Sequence, residues 1–291
     1  MKFLKIALVS LPQYVLPQHF LSRMMHWLTR CEIQWWKNFA IRNVISIYGV
    51  NLNEAKQEDF SAYPSFNHFF IRELKPSARP IEQSDHVVIS PADGAISQIG
   101  EINGTRILQA KGRQFNLDQL LGASPYGTAF QGGSFATIYL SPRDYHRLHM
   151  PCRGTLIEMR YIPGRLFSVN QATTAFVPNL FARNERVVAI FETSLGKLAL
   201  VLVGAIFVSS IETAWHGEVT PPKDGSLQTW DYMDNPMLLE QGQEMGRFNM
   251  GSTIIVLFEA GRVKWSRELN SGSPVKMGQR IGLTTIEAMR K

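Results

Sequence analysis

The sequence predicts an α+β protein, in which a helical N-terminal region (residues 1–75) precedes a β-rich, barrel- or sandwich-like body (residues 76–291). Apolar residues recur at three- and four-residue steps between Phe20 and Tyr48, a spacing that is typical of amphipathic helices. Beyond the first region, short Val- and Ile-rich runs alternate with Gly, Pro, Asn and Asp, which indicates strands joined by turns. With 291 residues, 45% of them hydrophobic and 19% charged, the chain can bury a sizeable core, and this composition excludes a disordered or disulfide-rich protein.

The N-terminal region is basic and rich in tryptophan. Residues 1–48 carry six of the 30 basic residues but only one of the 24 acidic residues, so most of the net charge of +6 lies there. Three of the six tryptophans, Trp27, Trp35 and Trp36, fall in the same segment. This pattern favours an anionic membrane surface over nucleic acid, because nucleic-acid-binding proteins more often carry a dense basic face on their main domain. A helix packed on the protein's own core fits the same periodicity, so both interpretations stay open.

The remaining elements follow in chain order. A second helical segment is predicted from Asn53 to Phe70, interrupted at Pro64. The longest apolar run, Leu198–Val208, is well short of the ~18–20 residues that span a bilayer. It is typical of buried strand structure, broken near Gly204. The predicted strands are His86–Ser90, Ala95–Ile99, Arg106–Ala110, Phe135–Leu140, Thr155–Ile162, Arg186–Glu192, Lys197–Val208, Thr253–Phe258 and Arg280–Thr284.

The two cysteines and the first residues bear on the location of the protein. Cys31 and Cys152 are far apart and have neither a CxxC motif nor zinc-ligand spacing. The start of the chain lacks the small-residue cleavage site of a secretory signal. We therefore expect a protein in a reducing cytoplasm, peripheral on the cytoplasmic face of the cell membrane, that does not cross the bilayer and needs no structural metal.

Three residues in two short motifs are candidates for proton-transfer chemistry. Asp93 lies in SPADGAI (90–96), and His146 and His149 lie in YLSPRDYHRLHMP (139–151). Asp-Gly is also an ordinary turn signal, and a histidine pair without a third ligand at recognisable spacing is a weak metal site. Because the pKa of histidine suits acid–base work near neutral pH, the residues are either structural or members of a catalytic site.

The segment RFNMGSTIIVLFE (247–259) places a Gly-Ser pair directly before a predicted strand. It is not a GxSxG nucleophile elbow, because Ile254 stands where the second glycine would be, and this disfavours that type of hydrolase. Glycine permits backbone geometries closed to other residues, so the Gly251 carbonyl can be presented to the Ser252 hydroxyl. A base that removes the hydroxyl proton would let Oγ attack that carbonyl and convert the amide to an ester. A Ser-His-Asp set supplies such a base.

The motifs SPADG, LSPRDYHRLHMP and FNMGST, in this order, together resemble those of bacterial phosphatidylserine decarboxylases. The resemblance covers about residues 66–283, and Met250 stands where the family usually has leucine, a volume-conserving change. Further similar segments are FNHFFIRELKPSARPI (66–81), IPGRLFSVN (162–170), LFARNERVV (180–188), VGAIFVSSIETAW (203–215) and PVKMGQRIGL (274–283).

This resemblance implies an enzyme that cleaves itself between Gly251 and Ser252, into a β-chain of residues 1–251 and an α-chain of residues 252–291. Ser252 would become a covalent pyruvoyl group, which would form a Schiff base with the substrate, without metal or pyridoxal phosphate. The implied reaction converts phosphatidylserine to phosphatidylethanolamine and CO2, a step of phospholipid biosynthesis.

The resemblance also implies roles for individual residues. The self-cleaving serine falls on Ser252, the relay histidine on His149 and the relay aspartate on Asp93. His146 matches the histidine associated with decarboxylation, and it would return a proton after CO2 is lost.

The implied partners are an anionic phospholipid substrate, a membrane surface and the two chains as a heterodimer, with further dimerisation left open and no nucleic acid.

Two alternative functions remain open from the residues alone. A Ser-His-Asp hydrolase of lipid or peptide esters would keep Ser252 in one intact chain. A non-catalytic membrane-surface protein would use Asp93, His146 and His149 only for turns and packing.

Overall fold

A computed structural model describes residues 10–82, 84–110, 112–208, 210–220 and 225–285. The α-helices in these residues are α1 Gln18–Thr29, α2 Gln34–Tyr48, α3 Phe66–Phe70, α4 Leu117–Leu121, α5 Gln171–Phe176 and α6 Leu180–Arg183. The strands are β1 Val87–Ile89, β2 Gly94–Glu101, β3 Arg106–Ala110, β4 Arg113–Asn116, β5 Ser134–Tyr139, β6 Arg147–His149, β7 Gly154–Ile162, β8 Arg186–Thr193, β9 Gly196–Val203, β10 Ile211–Thr213, β11 Gly217–Glu218, β12 Gln228–Asp231, β13 Met237–Leu239, β14 Glu244–Phe248, β15 Thr253–Phe258, β16 Val263–Trp265, β17 Pro274–Val275 and β18 Arg280–Thr284.

The strands form four sheets in which every described strand pairing is antiparallel. The largest sheet has nine strands in the order β12-β7-β8-β9-β15-β5-β2-β17, with β13 also paired to β7, and it is open at both ends. The smaller sheets have the orders β11-β10-β14-β6, β1-β18-β16 and β3-β4. A helical start followed by this β-rich body confirms the predicted α+β class.

The centre of the large sheet is the most apolar part of the chain. Strand β15 lies between β9 and β5, and all six of its residues are buried. Strand β9 is buried from Leu198 to Val203 and ends just before Gly204, which confirms the predicted break in the long apolar run. Continuous apolar strands of this kind are covered on both faces, so the start of β15 is held rigidly inside the protein.

The helices differ from the prediction in two places. The segment from Phe20 to Tyr48 is two helices, because α1 ends at Thr29 and the indole Nε1 of Trp36 donates a hydrogen bond to the Leu28 carbonyl, 3.0 Å away. The prediction of helix from residue 53 onward was wrong for residues 53–59, where side chains of the segment bond the backbone locally. Side-chain bonds of this kind compete with helix formation.

Helix α1 docks on the body through polar residues. Gln18 and Ser22 of α1 are buried, and their side chains accept hydrogen bonds from the backbone N–H groups of Leu166 and Phe207. Several large apolar residues of the two helices instead point away from the body: Trp27 of α1 is 69% exposed and Trp35 of α2 is 73% exposed. The helices therefore present an apolar outer face. Among the described residues, no helix is both long and apolar enough to span a membrane.

Helix α3 joins the N-terminal region to the body. The side chain of Ser65 caps the helix by accepting a hydrogen bond from the His68 N–H. Phe66 and Phe70 of α3 belong to a buried cluster with Ile41 of α2, and Met250 packs against this cluster. The predicted boundary between residues 75 and 76 stays a prediction, but contacts cross it next to the Gly-Ser pair.

Candidate active site

Ser252 lies one residue before β15 in the interior of the protein. It has no exposed surface, and its Oγ atom has no hydrogen-bond partner among the described residues. Its backbone carbonyl accepts a hydrogen bond of 2.8 Å from the N–H of Leu140, at the end of β5. The sheet thus fixes the Ser252 backbone and leaves the hydroxyl without a structural role. A buried hydroxyl without a hydrogen-bond partner lowers stability, so its presence calls for an explanation.

His146 is the histidine that lies against the Gly-Ser pair. Its Nδ1 atom is 2.8 Å from the Asp144 carbonyl, so Nδ1 carries the proton and Nε2 presents a lone pair. Nε2 is buried, has no described partner and lies 3.3 Å from the position of a Cβ atom built on Gly251. A free imidazole nitrogen therefore faces the backbone next to Ser252.

Gly251 is needed for space rather than for an unusual backbone angle. Its φ angle lies outside the left-handed region, so the expectation that glycine supplies a conformation closed to other residues was wrong there. A Cβ atom at this position would lie 3.3 Å both from His146 Nε2 and from the Leu140 carbonyl oxygen. Glycine thus allows His146 and the strand end to approach the peptide bond closely.

Burial and a nearby cation keep His146 neutral. Burial is the larger cause, and the charge of Arg72 is the second cause; together they lower the pKa of His146 to about 3, although the hydrogen bond to Asp144 opposes them. At neutral pH the imidazole is therefore uncharged, and its Nε2 atom can accept a hydrogen bond. The ring of Phe70 covers it at 4.1 Å between centroids.

Asp93 is buried and tightly paired. Its carboxylate accepts hydrogen bonds from Arg79 Nε at 2.8 Å, from Arg79 Nη2 and from the Met277 N–H at 2.9 Å. The guanidinium of Arg79 is also hydrogen-bonded to Glu54. Burial lowers the pKa of Arg79, but the bonds to Asp93 and Glu54 outweigh burial and the net shift is upward. The Asp93 carboxylate is thus held in place by the Arg79 side chain and the Met277 backbone.

His149 lies at the end of β6, with both ring nitrogens in use. Nδ1 donates to the Gly242 carbonyl at 2.8 Å, so Nε2 accepts from the Tyr145 hydroxyl at 3.1 Å. Burial lowers the pKa of His149, while its hydrogen bond to Gly242 and the charges of Glu244 and Asp93 oppose this shift. Asp93 therefore acts on His149 through its charge. No hydrogen bond joins His149 to Asp93 or Ser252 among the described residues.

Sequence reasoning missed the buried guanidinium of Arg72. This side chain is 4% exposed, and only its Nη2 atom has a hydrogen bond, 3.1 Å to the Arg143 carbonyl. Its Nε and Nη1 atoms are buried without partners among the described residues. An arginine in the polar stretch after Phe70 gives no sequence signal of burial, although FFIREL lies within the segment that resembles the decarboxylases.

A second missed group fixes the backbone before Met250. The Asn249 side chain donates to the Ser210 hydroxyl at 2.6 Å and accepts from Asn67 at 2.9 Å. Ser210 also accepts a bond from Arg30, at the end of α1. This chain of contacts connects the N-terminal helices to the residues next to the Gly-Ser pair.

The residues present fit a group made from Ser252. The hydroxyl is unpaired and buried, the preceding residue is the smallest one possible, and a neutral histidine faces the bond between them. The arrangement suits a proton transfer at the Gly251–Ser252 bond.

Comparison with known families shows to which family the chain is related. The family model described as phosphatidylserine decarboxylase matches residues 66–283, which include Asp93, His146, His149, Gly251 and Ser252. The chain belongs to this family. As a member of the phosphatidylserine decarboxylase family it is a decarboxylase, as the sequence predicted. A shorter model, described as PSD, matches residues 8–49 in the helical region.

Curated relatives agree over nearly the whole length. A protein of Methylococcus capsulatus (strain Bath) named phosphatidylserine decarboxylase proenzyme is 52% identical over 283 residues, covering 97% of this chain and 98% of the relative. A proenzyme of the same name from Pseudomonas fluorescens Pf-5 is 54% identical over 284 residues, with 96% and 98% covered. One from Pseudomonas putida F1 is 53% identical over 282 residues, with the same coverage.

Proposed function

We propose that this protein decarboxylates phosphatidylserine to phosphatidylethanolamine, after it has cleaved itself between Gly251 and Ser252 to form a pyruvoyl group. Family membership supports the decarboxylation, and the name proenzyme of its relatives supports processing. The observation that carries the cleavage site is the unpaired, fully buried Ser252 hydroxyl beside Gly251, with a free imidazole nitrogen against the same glycine.

The cleavage uses only groups of the chain and one water. A base takes the Ser252 hydroxyl proton, and Oγ attacks the Gly251 carbonyl carbon, so the amide becomes an ester and the nitrogen gains a proton. Loss of the Ser252 α-proton then expels the Gly251 carboxylate and leaves an aminoacrylate. Tautomerisation and hydrolysis by water release ammonia and leave the keto group at the start of the chain of residues 252–291.

We assign the relay for this step to His149 and Asp93. The Asp93 carboxylate raises the pKa of His149 and so favours the protonated imidazole that forms when the Ser252 proton is taken. The relay requires Nε2 of His149 to exchange the Tyr145 hydroxyl for the Ser252 hydroxyl. His146 is the competing base, because its free Nε2 already lies against Gly251.

In turnover, the pyruvoyl group supplies the electron sink for the carbanion left when CO2 departs. We assign the return of the proton to His146. Its depressed pKa leaves it neutral in the uncleaved protein, and a nearby anionic substrate would raise that pKa and let the ring carry a proton. The Phe70 ring keeps bulk water away from it.

We further propose that the outer face of α1 and α2 holds the protein on a membrane surface, on the cytoplasmic side. Phe20, Trp27, Trp35 and Phe39 are exposed on these helices, and the N-terminal segment is basic. Exposed aromatic residues beside basic ones are typical of helices that lie in the bilayer interface. A lipid substrate stays in the bilayer, so the enzyme must come to it.

The deciding experiment is an intact mass measurement of the purified protein beside Ser252→Ala. We expect the wild type to give two chains, of residues 1–251 and 252–291, the smaller one lighter than its serine form by one ammonia. Ser252→Ala should give one species of 32.9 kDa. A single uncleaved wild-type chain that hydrolyses esters would instead support the Ser-His-Asp hydrolase. CO2 release from phosphatidylserine by the cleaved protein alone would complete the assignment.

A further inference from the structure

Arg72 has buried hydrogen-bond donors that no acceptor among the described residues satisfies. The side chain is 4% exposed and has no ion pair among the described residues, and its Nε and Nη1 atoms lack acceptors. The nearby carboxylates are committed elsewhere: Asp93 is paired with Arg79, and Asp144 accepts from the backbone and hydroxyl of Ser141. A buried cation without a counterion is costly, so this one is suited to receive an anion.

Three contacts place Arg72 at the active site. The segment from Phe70 to Arg72 runs along residues 143–147: Phe70 covers His146, the Ile71 carbonyl accepts from Arg147 at 2.9 Å, and Arg72 donates to the Arg143 carbonyl. The guanidinium also lies 5.4 Å from the ring centroid of Phe69. It therefore lies beside His146, close enough for its charge to act on the imidazole.

The substrate under the proposed function has two anionic groups close to its amine, a carboxylate and a phosphodiester. A cation bound to the carboxylate would stabilise the charge that has to disappear when CO2 leaves, which opposes the reaction. A cation bound to the phosphodiester stabilises the ground state and the transition state equally. It therefore improves substrate binding without slowing the chemical step. Guanidinium groups are common partners of phosphate oxygens.

We propose that Arg72 binds the phosphodiester of the lipid headgroup and thereby sets the affinity of the enzyme for its substrate. This inference rests on the proposed function. It assigns Arg72 to turnover rather than to self-cleavage, since the cleavage proposed above uses Ser252, His149 and Asp93 and no arginine. Arg72 is thus a substrate-binding residue beside His146.

The test compares Arg72→Met and Arg72→Lys with the wild type and with Arg106→Gln. Arg106 lies exposed on β3 and serves as the matched control for loss of an arginine. Self-cleavage is followed by intact mass, and kcat and KM are measured with a short-chain, water-soluble phosphatidylserine. We expect Arg72→Met to cleave fully and to raise KM about 10- to 100-fold, with kcat within a few-fold of the wild type. The KM of Arg72→Lys should lie between those of the wild type and Arg72→Met, because lysine keeps the charge but loses the planar donors.

Two inhibitors distinguish the phosphodiester from the carboxylate. Glycerophosphoethanolamine carries the phosphodiester without a carboxylate, and free serine carries the carboxylate without phosphate. We expect Arg72→Met to lose inhibition by the first by about the same factor as the change in KM, and to keep inhibition by serine. The opposite pattern would assign Arg72 to the carboxylate and overturn the proposal.

The remaining outcomes are also decisive. Failure of Arg72→Met to self-cleave, while it unfolds at the wild-type temperature or above, would place Arg72 in maturation and overturn its role in substrate binding. An unchanged KM in a fully cleaved variant would overturn it as well. If the wild type itself is never cleaved, the proposed function fails before Arg72 is tested, so the two failures are distinguishable.

Discussion

The imidazole of His146 lies against the aromatic ring of Phe70, with 4.1 Å between their centroids. Phe70 belongs to the helical N-terminal region and His146 to the β-rich body, so the two regions meet at the active site. Phe70 is also part of the buried cluster on which Met250 packs. Since Met250 precedes Gly251, the N-terminal region forms one wall around the bond proposed to be cleaved, and truncating it should impair cleavage as well as membrane binding.

The roles of the two histidines are separable by substitution. We expect His149→Ala and Asp93→Asn to remain full-length, because the Ser252 proton has no relay. His146→Ala should still cleave and should lose decarboxylation by about 100-fold or more, the range for a positioned proton-transfer group. Intact mass and CO2 release measure the two steps, with the exposed His86→Ala as control. Cleavage by His149→Ala together with a full-length His146→Ala would exchange the assignments.

Arg79 should be required for the position and charge of Asp93. In a Ser252→Ala background, Arg79→Met leaves the buried Asp93 carboxylate without its counterion, which should lower the free energy of unfolding by about 3 kcal/mol or more. Adding Asp93→Asn should restore part of that loss, because the unpaired charge is then gone. Urea unfolding of the single and double variants measures the coupling. Additive losses would show that the pair does not act as a unit.

Gly251→Ala should slow self-cleavage without unfolding the protein. The added methyl group would lie 3.3 Å from His146 Nε2 and from the Leu140 carbonyl, so both must shift by a few tenths of an ångström. We expect cleavage to slow by about 10-fold or more, since small displacements of reacting groups are costly. The half-time of appearance of the chain of residues 252–291 measures this. Gly127→Ala, where the added carbon has ordinary contacts, is the matched control and should cleave normally.

The precursor should lose stability as the pH falls below 6.5. In the folded protein, burial and Arg72 lower the pKa of His146 from 6.5 to about 3, so the folded state stays neutral where the unfolded state takes up a proton. This histidine should therefore contribute a slope of about 1.4 kcal/mol per pH unit in that window. Urea unfolding of Ser252→Ala between about pH 4 and pH 7 measures the slope. Adding His146→Gln should reduce the slope by that amount. Equal slopes in the single and double variants would contradict the lowered pKa of His146.

Removing exposed aromatic residues from the outer helices should release the protein from vesicles. Trp35→Ala with Phe39→Ala deletes apolar area that has no contact with the core, so stability should be nearly unchanged. Binding to vesicles of phosphatidylglycerol and phosphatidylcholine should weaken by about 10-fold or more. Sedimentation with the vesicles measures it, and exposed Leu227→Ala, on the body, is the control. Unchanged sedimentation would contradict membrane binding by this face.

Sequence patterns were sufficient for the buried strands and insufficient for the shorter elements. Every predicted run overlaps a strand of the structure, because continuous Val, Ile and Leu residues leave few alternatives in a buried sheet. Strands such as β10 and β11 are two or three residues long and contain polar side chains, so their pairing depends on distant partners. The helix prediction over residues 53–59 failed because local side-chain bonds replaced helical ones.

The candidate site could be predicted only in part from the sequence. Asp93, His146, His149 and Ser252 lie in motifs, so family resemblance predicts roles for them without a structure, and these roles stay predictions. Arg72 and Arg79 were not found, because a basic residue in a polar stretch gives no sign that it is buried. The choice between the histidines depends on which nitrogen is left unpaired, and hydrogen bonds to distant backbone carbonyls decide that.

The strand β15 begins at Thr253, directly after Ser252, and lies between two strands of the preceding chain. Cleavage there would remove the covalent link only after the sheet has formed around it. The mature pair would then be a kinetic product of the precursor's folding, with lifetime rather than equilibrium stability as its measure. A heated or denatured mature enzyme would not reassemble, whereas the uncleaved chain could refold. The cell would have to replace damaged copies by new synthesis.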